Sequence, residues 1–242
     1  MNRKTWYWIA GIAAAAVVAA IVWALAGRTP AQAPAATATP AATGHGDMDH
    51  GDMGHGPSDR PEDPELQGYL EEQDAIMADM MTGMMSIQRS GSADLDFLAG
   101  MIPHHQSAVA MAQSYLDHGG AHDVLAPLAR TIIDTQTDEI GQMEGMIDEL
   151  KAAGTADAQR ADAYWEAYAG LMDHSMSHAT ADSLDAAFAD GMIAHHQMAV
   201  DMSQAVLPHA EDEGVKALAQ AIIDAQEQEI ADMQAVLDGQ GA

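Results

Sequence analysis

Residues 97–116 read FLAGMIPHHQSAVAMAQSYL, and residues 188–207 read FADGMIAHHQMAVDMSQAVL. Laid on each other, Phe97 meets Phe188 and Met101 meets Met192. The pair His104-His105 meets His195-His196, and Gln106, Val109 and Met111 meet Gln197, Val200 and Met202. Identity over so long a stretch reports one supersecondary unit used twice. The match continues outwards. Upstream, Met81 and Met85 fall on Met172 and Met176. Downstream, Ile132-Ile133-Asp134, Gln136, Glu139, Ile140 and Met143 fall on Ile222-Ile223-Asp224, Gln226, Glu229, Ile230 and Met233. Each unit therefore has a Met-bearing lead segment, a His-His segment and a Gln-x-x-Glu-Ile segment.

From Glu65 onward Ala, Leu, Met, Glu and Gln dominate, which is helix composition. The predicted helices are 65–88, 93–117, 122–151, 157–178, 183–207 and 212–238. Ser90-Gly91-Ser92, Gly119-Gly120 and Gly154-Thr155 mark breaks, and Ser92 and Ser183 stand where N-caps belong. Pro103 lies inside the second helix and should kink it or remove a hydrogen bond. Its counterpart is Ala194, so the motif does not need the kink. The chain divides into a membrane anchor or signal segment (1–28), a linker (29–61) and an all-α helical domain (62–242). That domain has repeat units at about 65–151 and 157–238.

The phrase Met-Ile-Pro-His-His-Gln-x-Ala-Val-x-Met-Ala, its second copy Met-Ile-Ala-His-His-Gln, and the following Ile-Ile-x-x-Gln-x-x-Glu-Ile-x-x-Met resemble the domain of unknown function 305 family over roughly residues 92–238. The resemblance implies a ferritin-like helical bundle in an exported bacterial protein. It also implies an association with copper binding and copper tolerance. The family name itself leaves function open.

The N-terminal stretch Thr5 to Gly27 carries no charge, follows Arg3 and Lys4, and has Trp6, Trp8 and Trp23 near its ends. About 20 apolar residues span a bilayer core, and flanking basic residues hold that end inside. The alternative is a signal peptide cleaved after Ala24-Leu25-Ala26. Both place the remainder outside the cytoplasm. The linker TPAQAPAATATPAAT (29–43) cannot bury a core and is expected to stay disordered. Beyond it, GHGDMDHGDMGHG (44–56) gathers His45, Met48, His50, Met53 and His55 among three aspartates.

The chain has 37 Asp and Glu against 9 Lys and Arg, a net charge of -28, which excludes a phosphate-backbone footprint and hence nucleic acid. It has no cysteine but 18 methionines and 12 histidines. Thiolate chemistry is thereby excluded, while imidazole and thioether together suit copper, as Cu(I) or Cu(II), with silver and zinc as further options.

Residues three and four apart share a helical face. Met101 with His104 and His105, and Met192 with His195 and His196, follow that rule, with Met111 and Met202 further along. Gln136, Glu139 and Met143, or their twins, are available from facing helices. Packing about a pseudo-twofold axis would bring both His-His helices to the centre, where bundles build metal sites. The alternative keeps one histidine of each pair as a bonded core residue and leaves the other on the surface. Met101 and Met192 read equally as core fillers. In the lead helix, Met77, Met80, Met81, Met84 and Met85 form one stripe, either a soft surface for Cu(I) or a packed core face. Its twin offers Met172, His174, Met176 and His178, with the two histidines one turn apart.

These features point to a membrane-tethered, extracytoplasmic protein that sequesters or hands on copper, with a copper-transport protein as a recipient. A ferritin-like redox enzyme is one alternative, but the Glu-x-x-His pattern of carboxylate di-iron bundles is absent. A helical interaction module without metal is the other. Ser107 near His104 gives no hydrolytic triad, because its counterpart is Met198. Oligomeric state is not legible.

Overall fold

The computed structural model describes residues 64–154, 156–172 and 181–239, and all six elements in them are helices. They are α1 (Pro64–Met85), α2 (Ala93–Asp117), α3 (Leu125–Ala153), α4 (Ala158–Met172), α5 (Leu184–Val206) and α6 (Glu213–Leu237). The predicted anchor, linker and His/Met tract lie outside the described residues. No helix among the described residues is long and apolar enough to cross a membrane.

The helix starts are set by side chains that satisfy the first free amides. Ser92 Oγ accepts from Leu95 N–H, Ser183 Oγ from Ala186 N–H, and Asp212 Oδ1 from Gly214 and Val215 N–H. α3 begins at Leu125 rather than 122, because His122 Nδ1 accepts from Val124 N–H and holds a turn there. Gly154 closes α3 in the left-handed region at φ 68°, where a Cβ would be strained. α1 ends at Met85, three residues earlier than predicted.

α2 packs on α3, α5 packs on α6, and α2 and α5 face each other between the two pairs. α1 lies on α2, while α4 crosses onto both α5 and α2. α2 runs without interruption through Pro103. The proline shapes the neighbouring helix instead: a Cβ on Gly83 of α1 would lie 2.9 Å from Pro103 Cβ. Glycine lets the two helices approach at that point.

The apolar core falls into two clusters. One gathers Met80, Met84, Phe97, Met101, Met143, Met202 and their neighbours. The other gathers Met111, Tyr115, Ile132, Phe188, Met192 and Met233. Met101 of α2 thus shares a cluster with Met202 of α5, and Met111 with Met192. The two helices therefore run antiparallel, and their histidine pairs meet midway. Links between the units recur at both ends. Asp94 accepts from Glu211 and Asp212 N–H, and Tyr115 donates to Asp185 and stacks on Phe188 with centroids 4.2 Å apart. Asp96 binds Trp165 Nε1 of α4 at 2.6 Å and Ser90 N–H at 2.8 Å.

Candidate metal centre

Between the two apolar clusters lies a polar layer. His104, His105, His195 and His196 are all fully buried there, so neither member of either pair is on the surface. The His104 and His195 rings face each other across the α2–α5 contact, with centroids 3.9 Å apart and planes tilted by 41°. His105 and His196 flank them, with centroids 6.4 and 6.1 Å from their chain neighbours.

Each outer histidine has a carboxylate behind it. His105 Nε2 lies 2.9 Å from Glu139 Oε2, and His196 Nε2 lies 2.7 Å from Glu229 Oε2. An ionised carboxylate only accepts, so Nε2 is the nitrogen that donates to it, and Nδ1 is the one that a metal would take in the neutral ring. Neither Nδ1 has a partner. His195 Nε2 is engaged by Ser107 Oγ at 2.6 Å, and its Nδ1 is also without a partner. Neither nitrogen of His104 has a side-chain partner; its polar neighbour is the His195 backbone. Both side-chain polar atoms of Gln136 and the Oε1 of its twin Gln226 are buried without partners as well.

Burial pushes the ring pKa of His104 and His195 well below the usual imidazole value, and the neighbouring histidines push the same way. A close approach to the facing helix backbone offsets this only in part. Both rings are therefore neutral at pH 7, the state in which imidazole ligates metal. Among the described residues, no group of three or more His, Asp or Glu side chains converges to enclose an ion. The layer is thus a set of paired donors rather than a closed cage.

The methionines lie elsewhere. Met101, Met192, Met111 and Met202 are buried in the apolar clusters on either side of the layer. In the lead-helix stripe, Met80 and Met84 are core and Met77 and Met81 are half-buried against it. Only Met85, at 76% exposure, offers the open surface considered from sequence. His45, Met48, His50, Met53, His55, His174, Met176 and His178 lie outside the described residues, as does the Met172 side chain. Asp94, on the Met101 stripe in sequence, is occupied by backbone amides at the far end of α2.

The family model described as Domain of unknown function (DUF305) matches residues 55–147 and again residues 94–237. The chain belongs to this family. DUF305 membership covers the whole helical part, beyond the 92–238 over which the resemblance was legible. Comparison with curated proteins finds no match. Among solved structures, the DUF305 chain is similar to CopM in an Ag-bound form from soaking, at 31% identity. That match covers 60% of this chain and 95% of that one, with a TM-score of 0.46. It is similar also to CopM in an Ag-bound form from co-crystallisation, at 30% identity over 60% and 96%, and to CopM in a Cu(II)-bound form, at 32% identity over 60% and 97%. Both have a TM-score of 0.46.

Sequence reading missed the use of Ser107, which it weighed only as a nucleophile. The signal was present in the repeat, where Ser107 stands opposite Met198, one of three buried polar departures inside the motif with Ser114 against Ala205 and Ser203 against Ala112. It also placed the two glutamines beside the glutamates as equal partners, whereas only the glutamates bond the histidines.

Proposed function

We propose that this is a copper-binding protein that sequesters or hands on the metal outside the cytoplasm. One observation carries the reading: four fully buried histidines, drawn equally from both units, of which three present an unpartnered Nδ1 and the fourth has no side-chain partner. A buried polar atom left unmade costs about 1–3 kcal/mol, and here the deficit is concentrated in one layer and repeated in both halves. A glutamate behind a histidine is the arrangement that orients imidazole and raises its basicity toward a metal. Imidazole and thioether without thiolate favour copper over the harder ions.

The remaining parts extend this reading. The six helices form a ferritin-like bundle of two three-helix units. Residues 5–27 anchor the chain in the membrane, residues 29–43 act as a tether, and the His/Met/Asp tract at 44–56 captures the ion before the bundle holds it. The Met77–Met85 stripe and the Met172–His178 segment are secondary soft sites. A copper-transport protein is the recipient. The acidic surface raises the local cation concentration.

The test is an anaerobic Cu(I) titration of the full chain against a coloured competing chelator, with Zn(II) in parallel. Two variants accompany it: His45, His50 and His55 replaced by Ala, and Glu139→Gln with Glu229→Gln. Tight Cu(I) binding that each variant weakens separately supports a tract feeding a bundle site. The engagement of His105, His196 and His195 by Glu139, Glu229 and Ser107 favours a second reading, in which the layer is a polar register device between the units. That reading predicts Cu(I) binding indifferent to the glutamate changes and a loss of thermal stability instead.

A further inference from the structure

His118 closes α2 and is seated against one face of α1. Glu65, Gly68, Tyr69 and Glu72 fall at i, i+3, i+4 and i+7, so they share that face. His118 Nε2 lies 3.2 Å from Glu72 Oε2, and its Nδ1 lies 3.5 Å from Glu65 Oε2. The fully buried Tyr69 meets the ring edge-on, with centroids 6.0 Å apart. A Cβ at Gly68 would stand 3.0 Å from the ring Cε1, so glycine leaves the room that the imidazole fills. Buried Ser114, one turn back on α2, donates from Oγ to Glu72 Oε2 at 2.7 Å and fixes that carboxylate whatever the state of the ring. The other titratable neighbours are engaged elsewhere: Asp117 accepts from Gln113, and His122 Nδ1 accepts from Val124 N–H. The repeat singles this notch out. At the spacing that lays His104 on His195, His118 falls on His209, but Glu65, Gly68, Tyr69 and Glu72 fall on Ala156, Gln159, Arg160 and Ala163, and Ser114 falls on Ala205. The histidine is present in both units and its acidic seat in one.

We propose that His118 is a pH-sensitive clasp, which fixes the start of α1 to the end of α2 in acid and releases it as the pH rises toward 8. A neutral imidazole has one N–H and one lone pair, whereas an imidazolium has two N–H donors. With a carboxylate beside each nitrogen, only the imidazolium donates to both. The neutral ring turns its lone pair on one of the two carboxylates. The carbonyl end of α2 adds to the attraction for a cation there. Of the side-chain types in the notch, only imidazole changes charge between about pH 5 and 8. The pairs are part-exposed, with 22% of the His118 side chain open to water against 72% for Glu65 and 51% for Glu72. Water screens them, so the clasp governs the first turns of α1 rather than the whole fold. The His/Met/Asp tract at 44–56 precedes this end of α1 along the chain. Loosening the first turns lengthens the chain between that tract and the bundle, a consequence that rests on the metal-binding reading above; the clasp itself does not.

The test is amide hydrogen exchange of the metal-free full chain in detergent at about pH 5.5 and about pH 8. It is read by mass spectrometry over residues 68–76 and corrected for the intrinsic exchange rate. Protection there should be about three- to tenfold higher at the lower pH. Acid weakens the histidine layer, because burial holds His104 and His195 neutral, so the two effects have opposite sign. His118→Gln, which stays uncharged, should abolish the gain. Glu65→Gln combined with Glu72→Gln should abolish it as well. Protection in the wild type that does not rise in acid, or a rise kept in either variant, overturns the clasp. No metal enters the experiment, so that result would leave the metal-binding reading untouched.

Discussion

Glu139 and Glu229 act through the histidines they hold, so their removal should be felt at the metal rather than in the fold. Glu229→Gln keeps an oxygen acceptor for His196 Nε2–H at the same place but removes the charge that strengthens the imidazole as a donor. The expected result is a Cu(I) affinity lower by about 10- to 100-fold with the helical circular dichroism unchanged, read by chelator competition. Glu139 is the more exposed of the two, at 17% against 6% for the side chains. Water screens its charge more, and Glu139→Gln should therefore have the smaller effect. Asp94 shows the opposite balance. Its carboxyl pKa is raised because burial outweighs the two backbone amides it accepts. Asp94→Asn should therefore be nearly neutral for stability, while Asp94→Ala should cost about 1–2 kcal/mol by stranding those amides, measurable by urea unfolding.

The contact of α1 with α2 turns on Gly83 and Pro103. A Cβ at residue 83 meets a rigid ring at 2.9 Å, and a pyrrolidine cannot rotate away as a flexible side chain would. Gly83→Ala should destabilise by about 1–3 kcal/mol. Pro103→Ala, which reproduces the Ala194 of the other unit, keeps the Cβ at 2.9 Å and removes only the Cγ at 3.6 Å, so the double variant should recover little of that cost. The existence and order of the helices were legible from composition and repeat, and so were the caps at Ser92 and Ser183. Helix ends were not, where a tertiary contact set them: His122 capping its own turn moved the start of α3, and nothing in the local pattern announces that. The pairing of His105 with Glu139 and His196 with Glu229 was legible as a class of partner, since both units repeat it. The burial of all four histidines was not, because an adjacent pair on a surface helix normally divides between core and solvent. Here α2 and α5 are each covered from more than one side, and adjacent positions are both enclosed.

Across the whole molecule, the histidine layer divides the core into two apolar halves and makes stability depend on pH. His104 and His195 have folded-state pKa values well below their unfolded value of about 6.5. Below that pH the unfolded chain takes up protons that the folded chain refuses, so stability is full above about pH 7 and falls as pH drops through 6 toward the folded pKa values. The two rings together set an upper slope of about 3 kcal/mol per pH unit, measured as the urea midpoint against pH. Copper bound through the layer should flatten that slope, because the ligated form cannot protonate. The acidic surface, 37 carboxylates against 9 basic residues, adds a salt-dependent attraction for cations that high ionic strength should remove without abolishing the layer site. The most direct measurement is X-ray absorption at the copper edge on the full chain with the tract replaced at His45, Met48, His50, Met53 and His55 and loaded anaerobically with one equivalent of Cu(I). The account predicts retained copper with imidazole in its first coordination shell, lost on changing Glu139 and Glu229 to Gln. Copper that washes off, or that remains without imidazole scattering, contradicts it.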